Sequence, residues 1–201
     1  MIEPAFYKTI EQPAIAEFKD RGSKFIAYAC PLNAADDFKK LLQNLKKEHP
    51  KAAHHCYAYR IGTDGNNFRV NDDGEPSGSA GRPILGQVDG KELTNVAVIV
   101  VRYFGGTLLG VPGLIHAYKT VVSLALQITP VIHRQIEASY TIHFNYNQVN
   151  EVMLTLKQYN CSILRQDMQL FCNIIAGIPV SRLTEVLYKL NELPHVDVKK
   201  N

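Results

Sequence analysis

Apolar residues in this chain follow two different periods, and the changes between them mark out the elements. Val96 to Val101 is an unbroken apolar, largely β-branched run, the pattern of a strand covered on both faces. Beyond Arg102 the period changes, and Leu114, Ile115, Tyr118, Val121, Val122 and Ala125 recur at helical spacing. Gly105, Gly106 and Gly110 lie in the turn between, where backbone shapes forbidden to other residues become available. Helical spacing also sets Phe38, Leu41, Leu42 and Leu45 inward on a helix over 34–47, with its lysines outward. Further strands are predicted around 25–30, 54–61 and 67–70, and a short helix from Ser79 through Leu85.

The texture changes at Thr129-Pro130. Ala138, Tyr140, Ile142 and Phe144 alternate with polar neighbours, which predicts a half-buried strand. Val149, Val152, Met153 and Leu156 return to helical spacing, and two short alternating segments follow at 161–167 and 169–176. Pro179 is read as opening a second helix through Leu183, Val186, Leu187 and Leu190, and a last strand falls at 195–199. The order βαββαβ predicts a ferredoxin-like domain. The chain is therefore read as two α+β domains, 1–132 and 135–201.

Composition narrows the function classes. With 201 residues there is material for one large or two small cores. The start lacks the basic and apolar regions of a signal peptide, and no apolar stretch is long enough to span a bilayer. Cys30, Cys56, Cys161 and Cys172 form no C-x-x-C pair, so neither a zinc site nor a disulfide framework is expected. The reading is a reduced, cytoplasmic protein with no membrane contact and no cofactor. Lys and Arg number 16 against 13 Asp and Glu in residues 1–134, and six of each follow. That bias is mild, so any contact with a polyanion must come from local clustering.

Candidate chemistry sits in three places. Arg102 and the glycine turn behind it suit an anion, because free amides and a helix start both favour negative charge. Arg60, Arg82 and Lys119 extend this to a basic, glycine-rich surface with Gly105 and Gly106, a groove for phosphate if the residues cluster. The competing reading pairs each arginine with an acid of the loop at 72–75. On the strand at 54–61, Tyr57 and Tyr59 share a face that either stacks bases or is core. The loop Asp72-Asp73-Gly74-Glu75-Pro76-Ser77-Gly78-Ser79 is either a turn with Ser77 or Ser79 capping a helix, or a carboxylate site for acid–base or divalent-metal chemistry. On that alternative His54, Asp72, Asp73 and Glu75 carry a hydrolase, with Ser77, Ser79 or Cys56 as possible nucleophiles. No G-x-S-x-G elbow supports it.

The stretches EFKDRGSKFIAYACPL, AAHHCYAYR, DDGEPSGSAGRPIL and VVRYFGGTLLG occur in an order that resembles the IMPACT family, in its bacterial YigZ-like branch, over residues 15–125. Where the family commonly has G-G-L-x-R-A-Y, this chain has Pro112-Gly113-Leu114-Ile115-His116-Ala117-Tyr118, so a basic contact is missing at His116. The resemblance implies a first domain with a mixed sheet and helices on one side, similar to a domain of a small-subunit ribosomal protein and elongation factor G. It also implies a non-catalytic, translation- or stress-linked regulator. The expected partner is RNA, the ribosome or a translation factor, bound through Arg60, Arg82, Arg102, Gly105, Gly106 and Lys119.

Overall fold

The computed structural model describes residues 5–201. Its contacts divide into two compact units, Tyr7–Arg134 and Gln135–Asn201, the latter taking residues 5 and 6 as well. The amide of Ile136 donates to the Ala5 carbonyl, which ties that short segment to the second unit.

In the first unit β1 (Phe6–Ile10) pairs with β7 (Val131–Gln135), and β2 (Ala14–Asp20), β3 (Ser23–Pro31), β6 (Val96–Tyr103), β4 (His54–Ile61) and β5 (Asn67–Asn71) form a sheet in that spatial order. Every pair in this sheet is antiparallel, which corrects the expected mixed sheet. The reason is topological. β3 and β4 are joined through helix α1 (Ala35–Glu48), the connection that produces parallel neighbours, but β6 inserts between them and runs against both.

The central place of β6 explains its apolar run: Val96 to Val101 are all buried, at 0% exposure. On one face Cys56, Ala58, Val96, Val98 and Val100 meet helices α2 (Gly81–Asp89) and α3 (Gly110–Ile128). On the other, Tyr57, Tyr59, Ala97 and Ile99 meet Phe38 and Leu45 of α1. Helices thus cover both faces, not one. Tyr57 and Tyr59 are each 8% exposed, with the Phe38 ring 4.6 and 4.8 Å from theirs. They are core, and their face is not open for bases.

The second unit runs β8 (Glu137–Asn145), α4 (Val149–Gln158), β9 (Ser162–Met168), β10 (Phe171–Pro179), α5 (Leu183–Asn191) and β11 (Val196–Lys200), with spatial order β11-β8-β10-β9. All its pairs are antiparallel. Ile142, Phe144, Ile174 and Ala176 form one core with Val152, Leu156, Val186 and Leu190 of the helices. Pro179 ends β10 and does not open α5, which starts at Leu183 after a single 3-10 turn.

Candidate functional site

The His54 end of β4 lies beside the Arg102 end of β6, where the two residues are register partners. The acidic loop after β5 closes over this end, and its shape follows from Asp72. The Asp72 carboxylate accepts from the amides of Gly78 (2.8 Å), Ala80 (3.0 Å) and Gly81 (2.8 Å). The Ala80 and Gly81 amides belong to the N-terminal end of α2, where helix donors lack intrahelical partners, and the Gly78 amide to the loop leading into it. Burial opposes the charge on Asp72, but those amides and the Arg82 charge outweigh it and hold the carboxyl below its ordinary range. The cap is therefore Asp72 and not a serine; the Ser79 hydroxyl donates to the Pro76 carbonyl instead. Gly81 permits the tight approach, since a Cβ there would stand 2.8 Å from the Asn71 amide nitrogen.

A loop pinned in this way delivers Glu75 inward, where it is 8% exposed. Arg102 Nη1 donates to Glu75 Oε1 at 2.7 Å, and the Tyr118 hydroxyl donates to the same oxygen at 2.8 Å. Taking two charges out of water is costly unless both are well bonded. The guanidinium lies 5.4 Å from the Phe25 ring and 5.7 Å from that of Phe104, and Nη2 reaches Ser23 Oγ at 3.4 Å. Its Nε is buried without a partner among the described residues.

His54 stands beside this pair. Its Nδ1 donates to the Asp73 carbonyl at 2.7 Å, and because a carbonyl only accepts, the neutral ring carries its lone pair on Nε2. That Nε2 is 3.9 Å from Glu75 Oε1. Cys56 Sγ is 3.0 Å from the Asp72 carbonyl oxygen and 3.2 Å from the Tyr118 hydroxyl. Burial pushes the Cys56 thiol and the Tyr118 phenol well above their ordinary ranges. Burial thus disfavours the Cys56 thiolate, the form that a nucleophile needs.

A cleft of about 470 Å³ opens over this cluster. His54, Glu75 and Arg102 supply its polar floor, and Phe104, Leu108, Leu109, Val111 and Leu114 its apolar wall. Phe104, Leu108 and Val111 are 51%, 83% and 45% exposed.

The structure separates the residues grouped in the sequence. Arg60 lies six residues along β4 from His54, about 20 Å at strand rise. There it pairs with Asp89 at 2.8 Å, bonds the Gly65 carbonyl and covers the Phe68 ring. Arg82 and Lys119 are exposed on α2 and α3 and form no ion pair among the described residues. The Gly105 amide is not free, because it donates to Ser23 Oγ at 3.2 Å. Gly105 is there for closeness: a Cβ would collide with the Gly22 backbone. Gly106 has φ +86 with open space around it.

Of the acidic alternative, His54 and Glu75 come together. Asp72 is spent on α2, and Asp73 Oδ2 accepts from the His55 amide at 2.6 Å. No group of three or more His, Cys, Asp or Glu converges as a metal site among the described residues. Sequence reasoning missed the roles of Tyr118 and Ser23. Tyr118 had only its place in the helical stripe as a signal, and its hydroxyl is what connects that helix to Glu75.

No helix among the described residues is long and apolar enough to cross a membrane. The family model for the Impact N-terminal domain matches residues 21–126, which contain all of this cluster. The chain is 33% identical to IMPACT family member YigZ of Escherichia coli, covering 84% of this chain and 83% of that protein. It is 32% identical to an IMPACT family member of Haemophilus influenzae over 94% of this chain and 92% of the relative. A solved crystal structure of a hypothetical protein matches with TM-score 0.77 at 29% identity, covering 97% of each chain. With more than half its length matched by the family model, the chain belongs to the IMPACT family.

Proposed function

We infer that this chain is a cytoplasmic, non-catalytic regulator linked to translation, and that its partner is a translation-factor protein held on the glycine-turn surface of the first unit. Membership of the family supports the translation theme. The fold readings that go with it are a ribosomal-protein/elongation-factor G type first domain and a ferredoxin-like second one. The four free cysteines suit a reducing compartment. One observation carries the choice of a protein over RNA: the surface beside Arg102 is apolar, with Phe104, Leu108 and Val111 exposed, and its arginine is neutralised by Glu75. Exposed apolar clusters of this kind mark protein contacts, whereas phosphate recognition needs unpaired cations.

The test is co-sedimentation of the full chain with ribosomes and translation-factor fractions across a salt series, with and without nuclease. Retention that survives nuclease and salt, and drops at least tenfold in Leu108→Asp, supports the reading. Retention that falls steeply with salt and is lost in Arg82→Glu or Lys119→Glu, the two cations of the expected basic surface without an ion pair among the described residues, replaces it with RNA. The fixed tautomer of His54 beside Glu75 keeps a hydrolase as the second reading. A broad hydrolase screen checks it, since any activity must vanish in His54→Ala.

A further inference from the structure

The cleft floor holds two acceptors that the protein leaves unused. Glu75 Oε1 already takes hydrogen bonds from Arg102 and Tyr118. Its second oxygen takes none among the described residues, although the side chain is only 3% exposed. In the neutral ring His54 Nε2 carries the lone pair that the bond from Nδ1 to Asp73 imposes, and it has no hydrogen-bond partner among the described residues. His54 and Glu75 line one cavity with an apolar wall, so a ligand there can reach both acceptors together.

We propose that this cleft is a binding site for a primary amine on an apolar body, with the ammonium donating to His54 Nε2 and Glu75 together and the body lying against Phe104, Leu108 and Leu114. Three features select this chemistry. Nε2 lies 3.9 Å from Oε1, the Glu75 oxygen already bonded, which brings the imidazole and the carboxylate within reach of one ligand nitrogen. An ammonium has three donors and serves both acceptors at once, whereas a hydroxyl has a single donor and leaves one unpaired. An anionic head is disfavoured because it would meet the Glu75 carboxylate, and the Arg102 charge that could balance it is already paired with that carboxylate, leaving only Nε without a partner among the described residues. The volume of about 470 Å³ is that of a small-molecule site, in which a few polar groups fix orientation and apolar walls supply the burial.

The proposal goes beyond the partner reading. That assay follows a macromolecule and this one a small amine, so either can fail while the other holds. The probe is 2-phenylethylamine, with 2-phenylethanol as the matched body lacking the ammonium. Each is titrated into the full chain at neutral pH and followed by NMR of the leucine methyls and the histidine rings. Saturable shifts at His54, Leu108, Leu109 and Leu114, with the amine at least tenfold tighter than the alcohol, are expected. His54→Phe should weaken the amine at least tenfold and leave the alcohol unchanged. Should that variant fail to fold, Val111→Lys at the exposed mouth provides the second check, with a cation that repels the amine and spares the alcohol. Equal affinity for the two probes, shifts confined to other surfaces, or no saturable shift each overturn the proposal.

Discussion

Arg60 and Arg102 sit on adjacent strands of one sheet, each paired with an acid from outside its strand, yet they do opposite work. Arg60 holds Asp89 at the rim, with side-chain exposures of 17% and 43%. Arg102 holds Glu75 in the interior, at 6% and 3%. The first pair can hand its charges back to water when broken; the second cannot. Removing one partner of a buried pair leaves an uncompensated charge, and about 3–5 kcal/mol is the usual cost. Arg102→Leu and Glu75→Gln should each lower unfolding free energy by that amount in urea titrations. The double variant should lose less than the sum by about 2 kcal/mol, because neither charge is then stranded. Strict additivity would show that the pair is not a unit.

Two neighbouring glycines sharpen the contrast at the Arg102 end. A Cβ on Gly105 would enter the Gly22 backbone, whereas one on Gly106 meets nothing within 4 Å. Gly105→Ala must push β3 away from the turn, loosening Ser23, which touches both Arg102 and the Gly105 amide. A loss of about 1–3 kcal/mol is expected from such overpacking. Gly106→Ala suffers only its positive φ, at about 1 kcal/mol. Equal losses in thermal unfolding would mean that the close approach does not matter.

Acid exposes a third difference, because the Arg102 end is closed by a loop whose anchor titrates. Asp72 has a folded pKa below its unfolded value near 3.9. Its contribution is therefore present above about pH 4 and is lost as pH falls through the folded value. His55 is also lowered, by burial first and against the pull of Asp73. Its contribution is complete above its unfolded value near 6.5 and is lost as pH falls below it. Stability should thus fall in two limbs on acidification. Asp72→Asn should cost about 1 kcal/mol at neutral pH and flatten only the limb below pH 4. A change in the upper limb instead would assign the loop's pH response to His55.

How much of this was legible depended on whether the signal was local. The periodicity of 96–101, 35–48 and 54–61 marked the core elements because burial is written into each window. β2 was missed although Ala14, Ala16 and Phe18 alternate with Ile15, Glu17 and Lys19, since exposed Ile15 blurs the pattern. The insertion of β6 between β3 and β4 has no local trace, and the sheet's antiparallel order was lost with it. The same limit applied at the site. Residue types nominated His54, Glu75 and Arg102, but only the fold separates Arg60 from them and brings Tyr118 in. Neither the distance of about 20 Å between Arg60 and His54 nor the contact of Tyr118 with Glu75, 43 residues away in sequence, can be read from a motif.

The smallest effect is the most telling for the basic-surface idea. Arg60 makes contacts to Asp89, Gly65 and Phe68, a longer inventory than many core residues have. Inventory is not energy, however. A half-exposed ion pair is screened by salt and costs two long side chains their freedom, so pairs of this kind contribute less than about 1 kcal/mol. Arg60→Ala should therefore lower stability by about 0.5–1 kcal/mol, with the difference shrinking as salt rises. Because Arg60 lies about 20 Å along β4 from the cleft, the same variant should leave partner retention unchanged while Leu108→Asp abolishes it. Loss of retention in Arg60→Ala without loss of fold would move the contact surface to the opposite end of the sheet.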